Sequence, residues 1–600
     1  MRKRHFFTFY LLQGICWSIA ALAYFKTNGF FTDPLGLSFS FFFLIGHIFL
    51  FVWLLALLTL PLYWLSPRVC QGACIFGGSL FSGLLAINWL VFSQYRFHIG
   101  PSMLELFFGP AGSEIFVFPV NMWLCVGVAF CVIIALETGL LYIARKWAPS
   151  NKQMGWIIGA WVLCFAIYNS LYAWGNFMLV PSVVGQRNVL PLAHPLSANR
   201  LLTKWGFSPE KRPYVIPQKG HFLYPKHPLT CAPKTSKNVL FLLVDSLRAD
   251  MLNPQVMPLL HKWTEHPGMH IFANHLSGGN STAGGIFSLF YSMPQSYWDD
   301  VNTIPPVWLK LMWEQGYEPA IFASSKLNSP AFNRNVFSSI ENLRLGSAGD
   351  NSWQRDEQAV SDFLQFLEQK DPNRPFFGFI FLDAPHAYSY PPQAQKFTPA
   401  KEVNYLLLTN TTDPTPYLNQ YKNSVYFTDQ LIDRVLTALE KQNMLQDTYV
   451  VITADHAQEL NDSHHNFWGH NSNFTDYQTR VPLLLLAGDT PAQTLNHRTS
   501  HYDVVPTLLQ NLFQCKNPVE DYSIGQNLFD ISPRPFVVFS GHEEKALRID
   551  DNLLIFDSFG GLKQYNNRFE PVTQAPDPAR VKAGLKAFSH FYNKDNSAKK

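Results

Sequence analysis

The chain has 600 residues, too many for one ordinary hydrophobic core, so at least two domains are expected. A net charge of +3 argues against a dedicated nucleic-acid binder, so no nucleic-acid partner is expected. Aromatic residues are abundant, Phe alone numbering 51, and they crowd the first 180 residues, where charges are sparse; that is a membrane composition.

Five apolar stretches, near 6–25, 39–60, 69–92, 120–144 and 155–179, are long enough to cross a bilayer as helices, which takes about 20 residues. The first follows "RKRH" and contains Ala21, Leu22 and Ala23, a cleavage-like pattern. That pattern falls late in the stretch and four more spans follow, so it is read as a retained span. Basic residues in the short loops set the orientation. With a cytoplasmic amino terminus, Arg2, Lys3, Arg4, Arg68, Arg145, Lys146 and Lys152 fall inside, against only Lys26 and Arg96 outside. An odd number of spans then delivers the rest of the chain to the far side, which in a bacterium is the periplasm. Two ionisable residues fall within spans. His47 is read as a packed neutral imidazole, and Glu137 as lying near the cytoplasmic end and reaching the interface.

Residues 1–180 thus form a five-helix membrane domain and 181–235 a linker rich in Pro, Lys, Arg and His. Within the linker, "SANRLLTKWGF" has the pattern of a short amphipathic helix. Ser197 would cap it, and Leu201, Leu202 and Trp205 would form its apolar face. Arg200 and Lys204, four apart, share another face suited to anionic headgroups, and Lys211 and Arg212 add charge. Six of the eight cysteines lie in or beside the spans. Cys231 and Cys515 are the two outside; an oxidising compartment permits a disulfide between them, and the sequence leaves the pairing open.

From residue 236 the pattern changes. Buried strands are predicted at 238–244, 317–323, 376–382, 448–454 and 481–487, with helical patterns between them, including 420–442. Strands alternating with helices indicate a parallel sheet covered on both faces. "LRIDDNLLIFDSFGGLKQYN" reads as short strands with a Gly-Gly turn. Three strands end in an acid: Asp245, Asp383 with His386, and Asp455 with His456. Ligands gather beyond the carboxyl ends of such strands, and two Asp with a His suit zinc or manganese. "LSGGNSTAGGIF" offers a hydroxyl nucleophile at a helix start, Ser281 or Thr282, where backbone N–H groups favour anions. Gly278, Gly279, Gly284 and Gly285 would let a phosphate or sulfate approach the backbone. His464, His465 and His470 follow closely enough to bind a second metal or steady anionic oxygens.

The ordered set "VDSLRAD", "GNSTAGGIF", "DAPH", "TADH" and "HYDVVPTLL" resembles the sulfatase and alkaline phosphatase superfamily. Its nearest branch resembles the lipoteichoic acid synthases and phosphoethanolamine transferases, and more closely a family of Gram-negative inner-membrane proteins with five spans, a basic linker and a periplasmic sulfatase-like domain. The resemblance implies a five-helix transmembrane domain plus an α/β alkaline-phosphatase-like domain at 236–600. It implies Thr282 as nucleophile, and Asp245, Thr282, Asp455 and His456 around one divalent metal (zinc, manganese or magnesium), with a second ion possible in that branch. His386 and His470 match positions that contact substrate or that second metal. The Cys/Ser-x-Pro-x-Arg motif of true sulfatases is absent, which argues against sulfate esters. In the linker, Arg200 matches an arginine that binds a lipid A phosphate, while Asn199 stands where better-known members have a second arginine. Those members also lose the Asp-His pair that this chain keeps. The implied function is regulation of lipopolysaccharide and outer-membrane lipid balance with a retained metal site. The implied partners are lipid A or phospholipid headgroups and a LapB-type membrane adaptor. The alternative is an active metal-dependent phosphatase, phosphodiesterase or phosphoryl-headgroup transferase using a threonine nucleophile.

Overall fold

A computed structural model of the chain describes residues 3–29, 31, 33–109, 112, 118, 120–208, 220–232, 237–488, 491–541, 544–556 and 562–593. Arg2, Lys211, Arg212 and the Gly-Gly turn at 560–561 lie outside them. The chain divides into two compact units, residues 1–101 with 118–213, and residues 102–117 with 214–600.

The first unit carries five helices long and apolar enough to cross a membrane. They are α1 (Lys3–Asn28), α2 (Pro34–Thr59), α3 (Pro67–Tyr95), α4 (Val120–Lys146) and α5 (Asn151–Phe177). Asp33 caps α2 by accepting from Gly36 N–H, and a Ser150/Gln153 capping box opens α5, so each start has one of its orphan N–H groups satisfied by a side chain. An aromatic seam including Phe9, Trp17, Phe39, Phe43 and Tyr172 fills the bundle. His47 is the expected packed imidazole, its Nε2 2.9 Å from the Pro191 carbonyl. Glu137 departs from expectation. It does not reach the interface but is buried, hydrogen-bonded to Gln13 and Ser82 inside the bundle.

After α5 the chain folds back on α2, burying Val183, Val189 and Leu190, and Gln186 Nε2 donates to the Gly36 carbonyl. The predicted linker helix is α6, Asn199–Lys204. Ser197 does not cap it. Ala198 holds that position without a side-chain bond, because the helix starts too late for the Ser197 hydroxyl to reach its first free N–H groups. Leu202 is buried, whereas Leu201 and Trp205 stay 46% and 65% exposed, as do the exposed Arg200 and Lys204 on the same short helix.

The second unit is built on a seven-stranded sheet, covered on both faces. Its strands are β1 (Asn238–Val244), β2 (Met269–Leu276), β3 (Glu318–Ala323), β4 (Phe376–Leu382), β5 (Thr448–Ala454), β6 (Leu483–Leu486) and β7 (Gln493–Ser500), in the order β7-β2-β6-β5-β1-β4-β3. The sheet is mixed rather than parallel throughout, since β6 runs antiparallel to both β2 and β5. The edge pair β2 and β7 escaped prediction because "MHIFANHL" and "QTLNHRTS" carry His, Asn and Arg in place of an unbroken apolar run. The central strands show why an unbroken run folds here. Val239, Phe241 and Leu243 enter one core with Phe290, Trp308 and Phe377, while Leu240, Leu242 and Val244 enter the other with Phe363, Leu431 and Ile452. Alternate residues face opposite layers, and each buried large side chain contributes about 1.5–3 kcal/mol.

Three helices matter below: α7 (Thr282–Tyr291), α8 (Ser352–Gln369) and α9 (Thr415–Lys441), the last beginning five residues before the predicted 420. A second sheet, β8 (Val537–Ser540), β9 (Lys545–Ile549), β10 (Asn552–Phe556) and β11 (Leu562–Tyr565), is antiparallel, and α10 (Pro578–Ala587) packs on it. Cys231 and Cys515 form a disulfide.

Candidate metal centre

Register builds the site. Val244 pairs with Ala454 on one side and with Leu382 on the other, all three strands running parallel. The next residue along each strand is Asp245, Asp455 or Asp383, so three carboxylates emerge side by side at one sheet edge. They then diverge in role. Asp383 turns to α8, accepting from Ser352 Oγ at 2.7 Å and Arg355 at 3.3 Å. Asp245 and Asp455 turn toward each other and His456, and one ligand atom from each lies within 4.8 Å of the others. Among the described residues, this is the one group of three such side chains placed to hold an ion.

Local bonds aim the donors. Ser246 donates its N–H to Asp455 Oδ1 at 3.0 Å and its hydroxyl to Asp245 Oδ1 at 2.8 Å. The second oxygen of each carboxylate is left facing inward. Asp455 Oδ2 is fully buried with no hydrogen-bond partner, and a buried carboxylate oxygen left in that state carries a desolvation penalty that a cation removes. His456 Nδ1 sits 2.9 Å from the Ala457 carbonyl, which fixes the proton there and leaves the Nε2 lone pair toward the centre. Nε2 is 3.7 Å from Asp245 and 3.4 Å from Asp455. Two carboxylates, one imidazole and one hydroxyl are hard or borderline donors that fit a divalent ion of the zinc, manganese or magnesium type.

Thr282 is the first residue of α7, and its Oγ1 lies 3.3 Å from His456 Nε2 and 3.4 Å from Asp245 Oδ2. Ser281 is the N-cap, accepting from Gly284 N, so of the two hydroxyls only Thr282 faces the carboxylates. The glycines are also needed for packing. A Cβ on Gly285 would stand 2.0 Å from the Asp455 carbonyl oxygen, one on Gly279 2.6 Å from that of Ser540, and one on Gly278 2.3 Å from Ser288. Gly284 likewise faces Ser540, at 3.0 Å. These glycines let α7 and the loop before it approach protein backbone and side chains closely.

His470 reaches the centre. Its ring centroid is 4.2 Å from that of His456 and 5.3 Å from that of His386, and its Nδ1 is held by Gln458 at 2.9 Å. His464 and His465 do not come in. His464 is exposed in a turn, and the His465 ring lies against Phe467 and Phe569. Ser246, Gln458 and Arg355 are supporting residues that sequence reasoning missed. Ser246 alone left a trace, as the polar residue directly after the strand-terminal Asp245.

The electrostatics follow from burial. Burial lifts Asp245 and Asp455 to about 7, and the charge of Asp455 adds to the rise at Asp245. Burial lowers His456 and drives His470 well down, with His456 and His386 adding repulsion at His470. Burial would lower His386 too, but the charges of Asp245, Asp383 and Asp455 outweigh it and its pKa rises.

An α/β domain with this convergence beyond its strand ends, carried behind five membrane-length helices, defines a membrane-anchored protein of the sulfatase and alkaline phosphatase type. Residues 237–512 match the Sulfatase family and residues 2–231 match a domain of unknown function, DUF3413. The chain is 25% identical over 567 residues to a protein of Haemophilus influenzae, covering 91% of this chain and 88% of that one. It is 25% identical over 565 residues to inner membrane protein YejM of Salmonella typhimurium, covering 90% and 89%. Over 168 residues it is 28% identical to phosphoethanolamine transferase EptA of Escherichia coli K12, covering 28% and 27%. The chain thus carries a Sulfatase domain behind a DUF3413 domain and is similar along about 90% of its length to inner membrane protein YejM.

Proposed function

We propose that the second unit is a metal-dependent phosphoryl hydrolase or headgroup transferase that works on a phosphate ester of a membrane lipid, with Thr282 as nucleophile. One observation carries this reading: the Thr282 hydroxyl stands 3.3–3.4 Å from two members of a buried Asp245, Asp455 and His456 set whose Asp455 Oδ2 has no other partner. The ester class is favoured by the 28% identity to a phosphoethanolamine transferase. Asp245, Thr282, Asp455 and His456 would hold the ion. Bound there, it would supply Lewis-acid chemistry, lowering the hydroxyl pKa and offsetting phosphoryl charge.

The protein's own groups do the rest. Thr282 loses its hydroxyl proton to bulk water and Oγ1 bonds to phosphorus as the ester P–O bond breaks. The departing oxygen takes a proton from His386, whose pKa the neighbouring carboxylates raise, while His470, kept neutral by burial, packs beside it. The intermediate is a phosphothreonine ester. In the second half, water or a lipid hydroxyl loses its proton to the His386 imidazole and bonds to phosphorus as the P–Oγ1 bond breaks, and the released Thr282 takes a proton back from bulk water. Ser246 and the Ala457 carbonyl keep the carboxylates and His456 oriented throughout. Purified protein would be assayed on phosphomonoesters, phosphodiesters and phosphatidylethanolamine with added zinc, manganese or magnesium. Thr282→Ala is expected to abolish turnover; full activity in that variant would remove Thr282 from the mechanism.

A second reading rests on the match along 90% of the chain to inner membrane protein YejM, membrane half included. In it the protein also regulates lipopolysaccharide and outer-membrane lipid balance, with the second unit in the periplasm. Arg200 and Lys204 on α6 meet lipid A or phospholipid phosphates, and the spans act on a LapB-type adaptor. Seven basic residues against two in the short loops support that orientation, as does the Cys231–Cys515 disulfide, a bond of oxidising compartments. A truncation lacking residues 236–600 should keep cells viable under this reading; its failure to complement would count against the spans as the essential part.

A further inference from the structure

The membrane unit buries one carboxyl group among three helices. Glu137 lies nine residues before Lys146 at the basic end of α4, about 14 Å along the axis at 1.5 Å per residue, which is near the middle of a hydrocarbon layer about 30 Å thick. It is 3% exposed. On α1, Gln13 Nε2 lies 2.9 Å from Oε2; on α3, Ser82 Oγ lies 2.9 Å from Oε1. Trp17 Nε1 donates to the same Ser82 oxygen at 2.8 Å. Gly78 makes the room, since a Cβ there would stand 2.2 Å from Gln13 Nε2 and 2.9 Å from Glu137 Oε2.

No charge answers this carboxyl. Among the described residues it has no Lys or Arg partner, and the titratable side chain that interacts with it is Cys16 on α1. The helix α3 brings Gly78, Ser79 and Ser82, all uncharged. Gln13 Oε1 is a buried acceptor without a partner, so a further acceptor charge beside it finds no spare donor on Gln13. An anion in hydrocarbon with neutral neighbours alone is strongly disfavoured. The neutral acid fits the same atoms. A proton on Oε1 points at Ser82 Oγ, whose two lone pairs then accept from Glu137 and Trp17, and the serine hydrogen turns to the carbonyl four residues back, as in-helix serines do.

We infer that the Glu137, Gln13 and Ser82 cluster is a proton-binding site in the membrane, and that the bound proton locks α4 to α1 and α3. The lock matters because α4 is otherwise thinly held: only Glu137, Leu141 and Ala144 are buried along its 27 residues. Losing the proton puts a charge in that seam and loosens α4.

The test uses the full chain in lipid nanodiscs. The infrared difference between wild type and Glu137→Gln at neutral pH should contain the carbonyl stretch of a protonated acid that shifts in heavy water. Ionised carboxylate bands in its place would overturn the proposal. Ser82→Ala keeps the carboxyl and removes its partner, so it should move that band; an unmoved band would refute the geometry even if Glu137→Gln does not fold. The melting midpoint of wild type should fall by several degrees at alkaline pH, with the fall absent in Glu137→Gln. Stabilisation by sodium that depends on Glu137 would assign the site to a metal cation instead and overturn the proton.

Discussion

Replacing Gly285 with alanine tests the candidate centre without touching a ligand. The new Cβ would stand 2.0 Å from the Asp455 carbonyl oxygen, 2.5 Å from its carbonyl carbon and 2.9 Å from its Cα. Ordinary contact begins at 3.4 Å, so the first pair is short by 3.4 − 2.0, about 1.4 Å. Both sides of the clash are backbone, the first turn of α7 and the end of β5, so no side chain can swing away. Elsewhere in a helix, Gly→Ala stabilises by about 0.5–1 kcal/mol; here overpacking should outweigh that gain with a cost of about 1–3 kcal/mol. The functional effect is larger than the stability effect. Metal–ligand distances hold within about 0.2 Å, and a shift of about 1 Å in reacting groups costs roughly 10²-fold in rate. Thr282 moves with α7, away from Asp455 and His456. Elemental analysis after gel filtration should find bound metal lost in Gly285→Ala, and scanning fluorimetry should find a lowered midpoint. Gly346→Ala is the control, its nearest neighbours being at 3.6 Å. Wild-type metal content and melting in Gly285→Ala would refute the close approach of α7 to β5.

Other outcomes follow from the same structure. Burial lifts Asp245 and Asp455 to about 7, above the unfolded value of 3.8, so their protonated forms favour the fold and that contribution is lost as pH rises through about 7. Chelated protein should therefore melt lower above pH about 7 than below it, and added zinc or manganese should raise the alkaline midpoint more than the acidic one. Asp356, also lifted by burial to about 7, gives the same trend but gains nothing from metal. Asp455→Asn should lower metal content with little change of shape; undiminished metal would remove Asp455 as a ligand. The Cys231–Cys515 bond spans 284 residues, so Cys231→Ser should destabilise the second unit by about 2–4 kcal/mol in chemical denaturation. Because Leu201 and Trp205 are 46% and 65% exposed, serine at either should leave melting unchanged. Each should weaken binding to anionic vesicles by about tenfold, if α6 seats its apolar side chains among headgroups at about 1.5 kcal/mol each.

The five spans and the central strands were legible because each is a long, predominantly apolar run, and such a run has few fates. β1, β4 and β5 fall on the predicted 238–244, 376–382 and 448–454. The edge strand β7 and its neighbour β2 were hidden because their polar residues break the apolar run, and their pairing is decided by neighbours distant in sequence. The histidine run shows the same limit. Three residues close in sequence, His464, His465 and His470, separate in space, and only the last turns to His456.

Sequence alone placed Asp245 and the Asp455-His456 pair at the ends of strands too apolar to lie anywhere but the sheet, and Thr282 at the start of the helix after a glycine run. The tertiary structure decided what those residues are to one another. Parallel pairing of Val244 with Ala454 and Leu382 sets three aspartates abreast, and side-chain bonds to Ser246 and Arg355 then send two toward one point and the third away. It also decided that Glu137 turns inward rather than to the interface, because helix period fixes only the direction of a side chain, while the partners waiting there, Gln13 and Ser82, lie 124 and 55 residues away.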